Sequence, residues 1–194
     1  MLELTNPHPC FHRSFLAAAD EFIAAGEDRH ANLPRWPAED GFAGVDFNRE
    51  VLESPERFKE YAAFLVDQQR EDTPRPAAYV PCTELWMIAD GEYVGRISLR
   101  HRLTDLLLTW GGHIGYSVRP TARRRGCASR ALALMLPRCA ELGIDPVLVT
   151  CDTDNVASRR TIETNGGRYE DTREGKLRFW VPTRAAVERE PAQR

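Results

Sequence analysis

The run Arg123-Arg124-Arg125-Gly126-Cys127-Ala128 carries the residue types that hold a phosphate. A glycine and a small residue at a strand-to-helix junction let successive backbone N–H groups converge on one anion, and the helix N-terminus adds its dipole at the same point. Arginines beside such a turn screen a pyrophosphate and clamp its oxygens bidentately. Taken alone, the run suits equally a solvated basic turn or a polyanion-binding patch of Arg119, Arg123, Arg124, Arg125 and Arg130. It lacks the Gly-Lys-Ser/Thr end of an ATP-type phosphate loop and the three glycines of a dinucleotide fingerprint, which disfavours those cofactors. Cys127 reads as a packed small residue rather than a nucleophile.

The flanking segments would place this turn. His113 to Val118 reads as a strand ending before Pro120, followed by a helix with Ala128, Ala131, Leu132, Met135 and Leu136 on one face. Val147-Leu148-Val149 is an uninterrupted apolar run, as in a strand buried on both faces. Strand, helix and strand in that order form a crossover with parallel strands. Pro137 lies inside the helical pattern, where it removes a hydrogen bond and crowds the preceding turn at about 3 kcal/mol, so a kink or an early helix end is expected. A last helix, Val156 to Thr164, is framed by Asp154 or Asn155 as cap and Asn165-Gly166 as stop. Strands near Arg168 to Arg173 and Leu177 to Val181 follow.

Upstream, Thr83 to Ala89 and Glu92 to Leu99 flank Asp90-Gly91, a pair suited to the positive backbone angles of a tight hairpin. Earlier still come a short strand at Met1 to Thr5, a helix over Ser14 to Ala25, and a loop from Gly26 to Gly44. A second helix is capped by Ser54 with Pro55 at its first position and bears Phe58, Tyr61, Ala62, Leu65 and Val66 on one face. Pro74 and Pro76 close this arm.

A chain of 194 residues, 42% hydrophobic and 28% charged, suits a globular protein that buries roughly 70% of its unfolded surface. No run approaches the roughly 20 apolar residues of a membrane span, and Met1 to Pro9 lacks the pattern of a secretory signal. A cytoplasmic location is the resulting expectation. The five cysteines are odd in number and never in a Cys-x-x-Cys pair, and the histidines do not fall at zinc-site intervals, so reduced thiols and no metal are expected. A net charge of -3 disfavours nucleic acid as a partner.

With two separate motifs in order, the chain resembles the GNAT superfamily of N-acetyltransferases. Arg123, Gly126 and Ala128 match the family's Arg/Gln-x-x-Gly-x-Gly/Ala pattern, preceded by His113-Ile114-Gly115-Tyr116-Ser117-Val118-Arg119-Pro120. Asp152 to Ser158, then Ile162-Glu163-Thr164-Asn165-Gly166-Gly167, match its Asn-bearing loop and fourth helix. The likeness is strongest to predicted acetyltransferases that carry Gly-Gly-His-Ile-Gly-Tyr before the cofactor turn. It implies an α/β fold: a mixed, mostly antiparallel sheet flanked by helices, with splayed parallel central strands. It implies acetyl-CoA as cosubstrate, with the backbone of Tyr116, Ser117 and Val118 along the pantetheine arm and Arg123, Arg124, Arg125, Gly126, Cys127 and Ala128 around the pyrophosphate. Asn155 and Ser158 would contact the pantetheine or phosphoadenosine end, although helix capping alone also accounts for Asn155. A single domain over residues 1–182 is expected, with an arm at 1–76 and a cofactor-binding core at 77–182, before a disordered tail at 183–194.

Attack on a thioester requires a neutral amine, and deprotonation at pH 7 costs roughly 4.6 kcal/mol for a lysine-like amine but only about 1 kcal/mol for an N-terminal α-amine. His113, beginning the strand beside the cofactor, is a candidate base, with a packing or substrate-orienting role as the alternative. Glu84, at the start of the first hairpin strand, is a second candidate, or else a solvated strand end. His101 and Tyr116 are weaker candidates. The family's frequent acid, a tyrosine on the fourth helix, is replaced by Ile162, which leaves water, Ser158 or unassisted release for the thiolate. The expected reaction is direct acetyl transfer, in a ternary complex, to a primary amine on a small molecule or peptide. A noncatalytic CoA-binding regulatory domain is the alternative, and a monomer and a homodimer fit equally. The segment Leu103 to Gly111, with Trp110, and the N-terminal helices are expected to wall the acceptor site.

Overall fold

A computed structural model describes residues 1–183, so most of the expected tail lies outside the described residues. Seven strands form one sheet: β1 (Leu2–Thr5), β4 (Cys82–Ala89), β5 (Glu92–Arg100), β6 (Ile114–Val118), β7 (Val147–Asp152), β8 (Arg168–Arg173) and β9 (Lys176–Val181). Their spatial order is β1-β4-β5-β6-β7-β9-β8. Every neighbouring pair is antiparallel except β6 and β7, which are parallel with a single registered pair, Ile114 with Val149. Beyond that pair the two strands part, and the sheet opens into a V.

The closed end of the V is pinned by backbone approach. Gly112 has φ of 60°, and a β-carbon there would lie 2.5 Å from the Leu148 carbonyl oxygen, so only glycine fits without displacement. The expected hairpin is present as β4 and β5, and the crossover runs through α3 (Cys127–Glu141). Pro137 does not end α3, which continues to Glu141, so the early helix end offered as one expectation does not occur. Ala131, Leu132, Met135 and Cys139 anchor the helix in the core, while Pro137 and Ala133, whose carbonyl loses its partner, face solvent where water satisfies it. The following helix, α4 (Val156–Thr164), has the expected bounds, and Asn155 Oδ1 caps it by accepting from the Ser158 N–H at 3.0 Å.

Two cores sandwich the sheet. On one face Leu85, Met87, Ile97, Leu99, Ile114 and Val149 pack against α3 and Ile162 of α4. On the other, Trp86, Ile88 and Tyr93 meet Phe15 of α1 (His12–Ala24) and Phe58, Tyr61 and Leu65 of α2 (Pro55–Asp67). Phe15 stacks on Trp86 at 5.3 Å, and burial of each such ring stabilises by about 2 kcal/mol. The region read as loop after α1 contains a small ribbon, β2 (Arg35–Trp36) with β3 (Val45–Asp46). Two-residue strands are too short for a periodic signal in sequence.

Candidate active site

The open end of the V leads into a cavity of about 640 Å³ that reaches the turn before α3. Gly126 caps α3 in the left-handed region, φ 75°, with no side-chain cap. Among the described residues, the six consecutive backbone N–H groups from Arg124 to Ser129 have no hydrogen-bond partner, whereas the flanking N–H groups of Arg123 and Arg130 are bonded to Pro120 and Gly126. A β-carbon built on Gly126 meets no atom within 4 Å. Free donors and open space together make an anion cradle at the positive end of a 15-residue helix.

Of the residues expected around the cofactor, all but Arg125 line this cavity: Tyr116, Ser117 and Val118 on one side, Arg123, Arg124, Gly126, Cys127 and Ala128 at the turn, and Asn155 and Ser158 opposite. Arg123 differs from expectation in another way. Its guanidinium is paired bidentately with Glu27 (Nη1 to Oε1 2.8 Å), its Nε donates to the Val118 carbonyl at 3.1 Å, and it lies over the Phe22 ring. Arg123 ties the N-terminal arm to the turn, and its fork is already occupied. The arginine beside it correspondingly holds Glu27 below the ordinary carboxylate range. Arg119 and Thr121 grip Glu21 in the same way.

Tyr116 crosses the open V. Its hydroxyl lies 2.8 Å from Ser158 Oγ, a bond between β6 and α4 that the sequence reading missed. Burial pushes the Tyr116 phenol up to about 12, opposed by the Ser158 contact, so the hydroxyl keeps its proton at neutral pH. Ile162 is fully buried and does not line the cavity.

His113 does not meet the geometry of a base. Its N–H donates to the Leu148 carbonyl at 2.7 Å while its ring Nδ1 accepts from the Leu148 N–H at 2.9 Å. The side chain thus extends the β6–β7 ladder by one bond at the closed end of the V. Nδ1, occupied as an acceptor, leaves Nε2 as the protonated nitrogen, and the ring lines neither cavity described here. Burial, with Arg100 adding repulsion, lowers its pKa to about 4. The bond joins residues 35 apart, which no local pattern reveals.

A second cavity, about 490 Å³, lies on the α1 and α2 side of the sheet, and Arg29 lines both cavities. Its floor is a polar row where the aromatic core ends: Glu84 on β4, and Arg96, Ser98 and Arg100 on β5. Glu84 is no solvated strand end, being 9% exposed. Arg96 Nη1 donates to Glu84 Oε2 at 3.2 Å and Asn32 Nδ2 to Oε1 at 2.5 Å. Asn32 also binds the Tyr61 hydroxyl, which couples the segment after α1 to α2 within the arm. Leu106 and Leu107 contribute to the wall from the segment after β5, but Trp110 does not; its indole donates to Glu174. His101 instead bonds Thr83 Oγ1 at 2.8 Å.

The fold and the anion cradle define a class, and sequence comparison agrees with it. The family profile for the acetyltransferase (GNAT) domain matches residues 33–168, and the chain belongs to that family. It is an acetyl-CoA-dependent N-acetyltransferase. No curated protein sequence matches the chain. Solved structures share the fold. The microcin C7 self-immunity acetyltransferase MccE, in complex with acetyl-CoA and AMP, is 12% identical, with 93% of this chain and 92% of that one covered and a TM-score of 0.59. RimJ of Mycobacterium smegmatis, in complex with CoA-disulfide, is 20% identical over 93% of this chain and 81% of that one, TM-score 0.59. RimL, the ribosomal L7/L12 alpha-N-protein acetyltransferase, is 15% identical over 93% and 88%, TM-score 0.55. Among the described residues no helix is long and apolar enough to cross a membrane, and no cluster of three or more His, Cys, Asp or Glu is placed to hold a metal.

Proposed function

We propose that acetyl-CoA occupies the cavity at the open V and that a primary amine, entering from the second cavity, attacks it directly in a ternary complex. The observation that carries this reading is the run of six unpartnered N–H groups beside a second cavity that contains a single carboxylate among its lining residues. Acetyl-CoA supplies an activated acetyl thioester. The N–H groups from Arg124 to Ser129 bind its pyrophosphate, with Arg124 beside them, and the free edge of β6 from Tyr116 to Val118 aligns the pantetheine arm. Asn155 and Ser158 border the same cavity from α4. The arm at 1–76 and the core at 77–182 act as one unit, since Asn32, Trp36 and Gln68 of the arm wall the second cavity.

Glu84 receives the ammonium of the acceptor and takes one proton from it, which frees the lone pair that attacks the thioester carbonyl; the second nitrogen proton passes to water as the C–N bond is completed and the C–S bond breaks. Arg96 and Asn32 hold that carboxylate in orientation through their hydrogen bonds. Tyr116, protonated and held by Ser158, is the acid that the cavity offers to the departing thiolate in place of a fourth-helix tyrosine. The acceptor is a small-molecule or peptide amine in a cytoplasmic setting. RimL, named for its action on an α-amine of a ribosomal protein, supports that breadth.

Calorimetry with acetyl-CoA, followed by thiol release across an amine panel, tests this. Micromolar binding and amine-dependent release that falls about 100-fold in Glu84→Gln, with acetyl-CoA affinity unchanged, are expected. Binding without release for any amine would favour a CoA-binding regulatory domain. An absence of binding would refute the cofactor assignment.

A further inference from the structure

The second cavity holds more positive charge than the chemistry above uses. Arg29, Arg96 and Arg100 face it with Glu84 as the only carboxylate among its lining residues, an excess of two positive charges. Arg96 is matched by Glu84. Arg100 has no carboxylate partner among the described residues: its Nη1 donates to the carbonyls of Gly111 and Gly112, at 3.1 and 3.3 Å, and its Nε and Nη2 make no hydrogen bond. That free edge is the side-on fork that pairs with a carboxylate through two parallel bonds.

The site is built to keep this guanidinium in place. A β-carbon on Gly115 would sit 3.5 Å from both terminal nitrogens of Arg100 and from Ser98 Oγ, ordinary contact distance, so β6 packs directly beside the guanidinium. Burial works against the charge, and Arg96 adds to the cost. A half-buried cation with an open fork is a demand for an anion. Independently, Gln68, 6% exposed and lining the same cavity, leaves its Nε2 with no partner, and Arg96 Nε is likewise unmatched.

Resting on the acetyltransferase reading, we propose that the acceptor is an amino carboxylate: Arg100 binds the carboxylate and Glu84 the amine. The strand register supports the pairing, because Cys82 stands opposite Arg100 and Glu84 opposite Ser98, so Glu84 and Arg100 are diagonal neighbours on one face. Diagonal β-carbons lie roughly 7–8 Å apart, a gap that the two side chains and an α-amino acid between them fill. Leu33, Leu65, Val80, Trp36 and Tyr79 surround the row and fit an apolar or aromatic body.

The experiment measures acetyl-CoA binding by calorimetry and then kcat/KM, by thiol release, for apolar α-amino acids, their carboxamides and an aminoalkyl phosphate. The wild-type protein is expected to prefer the amino acid over its carboxamide by at least about 30-fold, in line with one charge-assisted pair. In Arg100→Gln that ratio is expected to fall below about 3-fold with the carboxamide rate and acetyl-CoA affinity retained, and Arg100→Lys is expected to restore part of it. Equal use of acid and carboxamide by the wild type, preference for the phosphate, or no turnover of any amino acid despite acetyl-CoA binding would each overturn the proposal, whatever the variants do. Loss of acetyl-CoA binding itself would instead sink the reading beneath it.

Discussion

The two cavities differ in what they are made of. The one at the open V is lined at its anion end by backbone donors contributed by consecutive residues, Arg124 to Ser129. The second is lined by side chains from the arm, including α2, and from β4, β5 and the segment after β5. Backbone donors can be held by a turn and a helix start whatever most of the side chains are, so one scaffold can keep the same donor group while its partner cavity varies. On the proposed reading, the first cavity holds the donor and the second sets the acceptor.

This contrast can be broken most severely at Ala128. A glutamate there places a carboxylate on the cradle, and Ala128→Glu is expected to weaken acetyl-CoA by about 100-fold or more in calorimetry with little change in thermal stability. A loss below about 5-fold would mean that the pyrophosphate binds elsewhere.

At the closed end of the V the effect is on stability. His113 has a pKa of about 4 in the folded chain against 6.5 when exposed, so its neutral form is favoured by folding. That stability is fully present above pH 6.5 and is lost as pH falls toward 4, because the unfolded chain takes up the proton first. The gap corresponds to roughly 3 kcal/mol. His113→Asn, which keeps an acceptor for the Leu148 N–H, is expected to lose correspondingly less stability between pH 7 and pH 4.5 in denaturant titrations. The pH profile of its turnover is expected to match that of the wild type. An inflection near pH 6.5 in wild-type turnover that vanishes in the variant would return His113 to the role of base.

Arg123 sharpens the contrast at its smallest scale. Because its fork is paired with Glu27 at a partly exposed site, Arg123→Gln is expected to cost under about 1 kcal/mol of stability and to change acetyl-CoA affinity less than about 3-fold. A loss of 30-fold by calorimetry would show that Arg123 leaves Glu27 to bind the cofactor.

What the sequence made legible follows the same division. The hairpin about Asp90-Gly91, the turn at Gly126 and the cap at Asn155 are local, each written in a few consecutive residues, and the structure places each where its residue types put it. The strand that starts at Ile114 carried its own misreading. His113 presented the pKa of a base, but its role depends on Leu148, 35 residues away. Arg123 looked like a phosphate clamp, yet its partner Glu27 lies 96 residues upstream. Pro137 reads as a helix end because propensity sees the lost bond and not the core residues that carry α3 on to Glu141. Arg96, Ser98 and Arg100 draw no attention in the sequence, because only the register of β5 with β4 brings them beside Glu84.

Amide hydrogen exchange with and without acetyl-CoA tests the central claim most directly, since it reads the proposed donors themselves. The amides from Arg124 to Ser129 are expected to slow at least about 10-fold when acetyl-CoA is added, while the Leu148 amide, already bonded to His113, is expected to stay unchanged. Saturating acetyl-CoA that leaves those six amides exchanging at their original rates would contradict the account.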